Sequence, residues 1–297
     1  MKHSRSFSPI LVFLLLSGLV RAAPLPPRLL VVPVLPSPQD SPTLLLFDAA
    51  RVQTGTPPEV LLWRDGQFIA RVATRAPRAP DEVQTILLGR LPPGRYSVEY
   101  RDVAGPGFAG QDDLPKLTLR FVVSEQGLLS VIEYFNAALG HYFITADPVE
   151  QQKLDSGAIS GWRRTGETFR ALPVDDMPSF GSPVCRFYGL PSAGLDSHFF
   201  SADADECAAV ESKWPNKWVR ETPGAFGTVS ASSLYPVQCG GGYFAPVFRL
   251  YNNRADANHR YTVSRAIRDQ MVAQGWIEEG ADYDGPHEER YAMCVPE

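Results

Sequence analysis

Histidine is scarce in this chain, 5 in 297 residues, yet three of the five head short aromatic runs. The runs read His141-Tyr142-Phe143, His198-Phe199-Phe200 and His259-Arg260-Tyr261, and aligned by eye they give one recurring position. An imidazole can bind a metal, touch a ligand or bond a backbone carbonyl. Three equivalent imidazoles gathered on an axis would make a His3 zinc site, with Zn–N near about 2.0–2.1 Å. Equivalent residues of repeated units usually lie apart, so a structural role is preferred. One ligand contact per unit comes second, and neither a shared metal nor any other cofactor is expected.

Each His run is followed downstream by a Trp: Trp162, Trp218 and Trp276. Core anchors are the first reading for these, and stacking platforms the second. The ligand-binding candidates are therefore the three His, Tyr142, Phe199 and the three Trp.

Catalysis finds little support. The chain has no Gly-x-Ser-x-Gly elbow, no His-Glu-x-x-His helix and no phosphate-cradling loop. Asp112-Asp113, Asp175-Asp176 and Glu278-Glu279 are adjacent acids, which on a strand point to opposite faces. His287-Glu288-Glu289-Arg290 lacks a second His. No enzymatic activity is expected.

Four Cys all fall after residue 180. An even number in an exported chain implies bridges, with three possible connectivities. Cys185 lies in an expected strand and Cys207 in the helix that follows, which favours Cys185–Cys207. Cys239 and Cys294 would then clip the last segment shut. Each bridge should contribute roughly 3–4 kcal/mol on chain-entropy grounds.

The elements that carry these residues recur three times, starting at Val131, Val184 and Val247. Each copy opens on an aromatic or apolar pair, Tyr134-Phe135, Phe187-Tyr188 or Leu250-Tyr251, and turns at Asn136, Gly189 or Asn252. The His strand follows, then a helix start. Asp147-Pro148-Val149-Glu150 offers an N-cap, a Pro at the first helical position and a reciprocal Glu; Asp203 with Glu206 repeats the box, and Ser264 caps the third. Helices are expected over about 148–156, 204–213 and 265–274. Each unit closes on Trp and then Gly with an aromatic, at Gly166 and Phe169, Gly224 and Phe226, Gly280 and Tyr283. The expectation is strand–strand–helix–strand over 131–173, 184–229 and 247–294, packed into one α+β domain over 128–297.

This pattern resembles the His-Phe-Tyr-Thr repeat family of unknown function found in secreted bacterial and some fungal proteins. The resemblance covers most of 131–294. It implies surface or glycan binding and brings no catalytic residues. The second copy departs from it at Phe200-Ser201, and the third at Arg260.

Residues 24–125 read differently. Apolar runs at Leu29–Val34, Thr43–Phe47, Glu59–Trp63, Gln67–Val72, Val83–Leu88, Arg95–Arg101 and Leu117–Val123 alternate with turn signals. Asp65-Gly66 is a hairpin signature. Seven short strands without a helical stretch suggest an immunoglobulin-like β-sandwich acting as a spacer or support.

Residues 1–22 look like a secretion leader: basic Lys2, His3 and Arg5, then a ten-residue apolar run, with cleavage near Ala22. The run is about half a membrane span. The chain carries 28 basic and 33 acidic residues, a net charge of −5. Residues 126–297 hold 14 basic and 22 acidic side chains, which argues against a nucleic-acid partner. The expectation is a secreted or periplasmic, non-catalytic recognition module for an envelope or extracellular polysaccharide. A structural or protein-contact module with no small ligand is the alternative, and a hydrolase with dispersed acids or a His-bound metal comes third.

Overall fold

A computed structural model of the chain describes residues 28–33, 35–47, 57–76, 78–79, 82–101, 116–229, 239, 244–282 and 290–297. The leader, Asp112-Asp113, Tyr283 and the acid-rich stretch from His287 to Glu289 lie outside the described residues. The described residues are mostly strand, with three α-helices among them. No helix among the described residues is long and apolar enough to cross a membrane.

The first seven strands are β1 (Arg28–Val32), β2 (Thr43–Phe47), β3 (Glu59–Arg64), β4 (Gln67–Val72), β5 (Val83–Leu87), β6 (Gly94–Arg101) and β7 (Lys116–Val123). They form two antiparallel sheets, ordered β1-β2-β5 and β4-β3-β6-β7. Asp65 and Gly66 join β3 to β4 with φ of 50° and 81°, the left-handed pair a tight hairpin requires. On β6, Tyr96, Val98 and Tyr100 point inward. They meet Leu29, Val31, Leu44 and Leu46 from the other sheet in one apolar cluster.

Why β1 and β2 are apolar at nearly every position follows from their second face. Leu30, Val32 and Leu45 point away from that cluster and into another one, with Leu172, Val229, Phe244 and Phe248. A strand covered on both sides loses the polar alternation of a half-exposed one. The segment around residues 125–128 is thus crossed by a shared core. Hydrogen bonds cross it as well: Ser179 N–H donates to Arg120 O at 2.8 Å, and Ser124 Oγ to Asp176 Oδ2 at 2.8 Å.

The rest of the chain continues with β8 (Leu129–Asn136), β9 (His141–Thr145), α1 (Pro148–Asp155) and β10 (Trp162–Ala171). Next come β11 (Gly181–Pro183), β12 (Cys185–Gly189), β13 (Ser197–Ser201), α2 (Ala204–Lys213), β14 (Trp218–Thr222) and β15 (Gly227–Val229). The last elements are β16 (Phe244–Tyr251), β17 (His259–Thr262), α3 (Arg265–Ala273), β18 (Ile277–Glu279), β19 (Ala281–Asp282), β20 (Arg290–Tyr291) and β21 (Met293–Pro296). Three antiparallel ladders have the same shape: β10-β8-β9, β14-β12-β13 and β18-β16-β17. Within each, a helix bridges the second and third strands in sequence.

Val131, Val184 and Val247 are fully buried in one common cluster with Phe143, Phe200, Phe226 and Tyr261. The second ladder adds a smaller cluster of its own, in which Cys185, Phe187, Phe199, Cys207 and Val210 pack between its strands and α2. The bridges are Cys185–Cys207 and Cys239–Cys294, the pairing expected from position. The first ties β12 to α2; the second ties residue 239 to β21.

The helix starts depart from expectation in one respect. Asp147, Asp203 and Ser264 do cap their helices through their side chains. The reciprocal half of the capping box is missing, because a hydroxyl two residues upstream already takes each cap N–H. Asp147 N–H donates to Thr145 Oγ1, Asp203 N–H to Ser201 Oγ and Ser264 N–H to Thr262 Oγ1, each at 3.0 Å. Glu150 and Glu206 are thereby released for other work.

Candidate functional site

These three hydroxyls also fix which residues correspond. Counting back from Thr145, Ser201 and Thr262, the strand pairings place Tyr142, His198 and His259 at one register. They lie opposite Phe135, Tyr188 and Tyr251, with ring separations of 4.7, 5.1 and 5.3 Å. His141 lies one residue earlier, at the register of Ser197 and Asn258. The alignment of three equivalent His is therefore corrected to two. An eye anchored on the imidazoles slips the first copy by one residue.

The register of His141 is where the ladders meet. His141, Ser197 and Asn258 are all buried. Asn258 Nδ2 donates to Ser197 Oγ at 3.0 Å and to Tyr142 O at 2.9 Å, while its Oδ1 accepts from Tyr142 N–H at 2.8 Å. His141 Nδ1 lies 3.0 Å from Asp196 O, and its Nε2 lies 3.1 Å from Asp256 Oδ2. One short polar side chain from each ladder is spent on holding its neighbours.

The next register makes the interfaces. Between the first and second ladders, Arg186 Nη1 donates to Glu150 Oε2 at 2.9 Å, and its Nε lies 2.8 Å from Glu221 Oε2. His198 Nε2 sits 3.4 Å from the same Glu221 oxygen, and its ring lies 4.5 Å from Phe143. Between the second and third, Arg249 donates two bonds to Glu206, at 2.8 and 2.9 Å, and its Nε lies 3.0 Å from Glu279 Oε2. His259 Nε2 sits 3.3 Å from Glu279. Its ring lies 5.0 Å from Phe199, over which the Arg249 guanidinium stacks at 4.9 Å.

Between the third and first ladders the polarity reverses. Glu133 occupies the register of Arg186 and Arg249. Arg260, at the register of Phe143 and Phe199, donates to both Glu133 oxygens, at 2.8 and 2.9 Å. Thr165 Oγ1 donates to Glu133 Oε2 at 2.7 Å, and Arg260 stacks over Tyr142 at 4.2 Å. These arginines and glutamates were missed as candidates. Their signal was a charged residue, Glu133, Arg186 or Arg249, directly before each aromatic pair in an otherwise apolar strand.

The Trp residues do not share one fate. All are half-buried, and each packs edge-on: Trp162 on Phe143, Trp218 on Phe199 and Trp276 on Tyr142. Trp218 alone of the three lines a cavity of about 560 Å3 between the second and third ladders. The buried Phe199, Arg249 and His259 form its base, with Glu206 and Glu279. Tyr251 and Trp218 wall it, and Lys213, Trp214, Lys217 and Arg254 stand exposed at its mouth.

Electrostatics at the base keep its two carboxylates charged. Burial holds His259 below its ordinary value, so it is neutral at neutral pH. Burial would raise Glu206 and Glu279. Arg249 and Ser201 outweigh it at Glu206, and His259 and Arg249 outweigh it at Glu279, so both carboxyls stand below their usual range. A glycosidase acid needs the opposite shift. The adjacent Glu278 faces elsewhere, paired with Arg268 at 3.0 Å.

No curated protein and no solved structure matches the chain. Residues 130–286 match the model of DUF5648, a domain of unknown function, over nearly the same segment as the His-Phe-Tyr-Thr resemblance and over half of the chain. The chain belongs to that family, whose matched region contains the three ladders and the cavity.

Proposed function

We propose that this is a secreted, non-catalytic recognition protein for an envelope or extracellular polysaccharide. In this reading three copies of one strand–strand–helix–strand unit close into a ring, and an immunoglobulin-like sandwich braces it. The sheet orders β1-β2-β5 and β4-β3-β6-β7 suit such a sandwich. So does Tyr96, whose hydroxyl bonds Pro92 O at 2.8 Å in the manner of a tyrosine corner. Two disulfides fit an oxidising compartment.

The observation that carries the function is the cavity. Its aromatic walls at Trp218 and Tyr251 suit the apolar faces of sugar rings. Arg249, Glu206, Glu279 and His259 offer donors and acceptors held in place by their own bonds, the preorganised polar base a small-ligand site needs. A glycan array and polysaccharide pull-down of the full chain test it. Binding that Trp218→Ala weakens supports the proposal, and a blank array refutes it.

The protein-contact reading is favoured by one feature, the exposure of Phe68, Ile69 and Leu87 on edge strands β4 and β5. Apolar side chains on a sheet edge are a common contact surface.

A further inference from the structure

The cavity mouth has a charge that the rest of this region does not. Residues 126–297 carry 22 acids against 14 bases, yet the rim of the cavity is cationic. Arg249 is neutralised by Glu206 and Glu279, and Arg254 by Asp256 at 2.8 Å. Lys213 and Lys217 are exposed, and no ion pair joins either to an acid among the described residues.

These lysines alternate with tryptophans in the run Lys213-Trp214-Pro215-Asn216-Lys217-Trp218. The run is held tightly. Helix α2 ends at Lys213, Trp214 N–H donates to Val210 O, and Lys217 N–H and Trp218 N–H both donate to Trp214 O. Lys217 O in turn accepts from Leu190 N–H at 2.9 Å. All four long side chains line the cavity, and Trp214 is 46% exposed. An indole left this open on a rigid loop has no core role to explain it.

We propose that the cavity takes a carboxylate-bearing sugar, a uronic acid unit of an acidic polysaccharide, with Trp214 and Trp218 on its ring faces and the two lysines on its charge. The assignment rests on the polysaccharide reading above and narrows it. A neutral sugar would gain nothing from the two ammonium groups, which stay hydrated at the mouth. A uronate pairs with them, and the attraction also raises its local concentration at the mouth. Lys213 lies in the last turn of α2, where a cation also suits the helix carbonyls. Lys217 has no such second duty and makes the cleaner test.

Titration calorimetry of the full chain with oligogalacturonate and with its methyl ester separates the possibilities. The acid form should bind about three- to tenfold tighter than the ester, the contribution of one or two exposed charge contacts. The preference should shrink as salt is raised. Lys217→Gln should remove about half of that preference or more while leaving the unfolding midpoint unchanged. Equal, salt-insensitive binding of both forms overturns the uronate assignment and leaves polysaccharide recognition standing. Silence toward both probes overturns the assignment too, and a blank glycan array beside it overturns the broader reading.

Discussion

Glu133 and Arg260 lie 127 residues apart in sequence and share two parallel hydrogen bonds, Nε to Oε1 at 2.8 Å and Nη2 to Oε2 at 2.9 Å. Both side chains are nearly excluded from water. Removing one partner strands a buried charge, whereas removing both does not. Arg260→Met alone should therefore cost about 3–5 kcal/mol in urea denaturation. Glu133→Leu with Arg260→Met should recover most of that loss. A single variant within about 1 kcal/mol of the parent would show the pair to be incidental.

Asn258 uses one side chain to satisfy both the N–H and the carbonyl of Tyr142 and to hold Ser197. Asn258→Ala orphans two buried backbone groups at roughly 1–3 kcal/mol each. A loss of about 2–6 kcal/mol is expected on that basis. Asn258→Asp should cost at least as much, because it keeps the acceptor for Tyr142 N–H but buries a carboxylate oxygen against Tyr142 O. Thermal melts of the two variants rank them, and an unaffected Asn258→Ala protein would contradict the assignment.

Acid should destabilise the fold in two stages. His259 lies below its ordinary 6.5 in the folded chain through burial, so below that pH the unfolded chain takes the proton more readily and gains on the folded one. Glu206 and Glu279 lie below 4.5; their contribution is complete above 4.5 and is lost as pH falls through the folded values. His259→Asn should flatten the stability curve between about pH 7 and 5 and shrink the lower stage without abolishing it, because Glu279 loses one of the groups that hold it down while Glu206 keeps Arg249 and Ser201. An unchanged slope in the upper window would place the titrating group elsewhere.

The bridges Cys185–Cys207 and Cys239–Cys294 span 22 and 55 residues. Replacing the first pair by Ser should cost about 3 kcal/mol, and replacing the second slightly more, because the longer loop gains more freedom when cut. Urea midpoints under non-reducing conditions measure both. A reversed order would mean that the loss is governed by packing around Cys185 and Cys207 in their apolar cluster.

Much of the architecture was legible because local signals carry it. The helices begin at Asp147, Asp203 and Ser264 as their caps require, and the β3–β4 hairpin turns on Asp65-Gly66. The equivalence of His141 with His198 and His259 failed for a reason also present in the sequence. Thr145, Ser201 and Thr262 stand two residues before each cap, and counting from them gives the observed register. The inter-ladder contacts were not legible. Glu150 and Glu206 read as capping-box glutamates, and only the neighbouring ladder reveals that each binds an arginine. Likewise the second buried face of β1 is set by Phe244 and Phe248, more than 200 residues away in sequence, which no local pattern announces.

Reversed polarity at the interface between the third and first ladders has a kinetic side. While the chain emerges from its amino end, the two arginine-led interfaces can form in turn. Glu133 must wait for Arg260. Until then its carboxylate has no guanidinium to pair with, and burying it unpaired is costly. Long-range closure of this kind is slow, and incomplete domains are the species most prone to clump. Closure of the third ladder on the first is thus the step that takes the Glu133 carboxylate out of water.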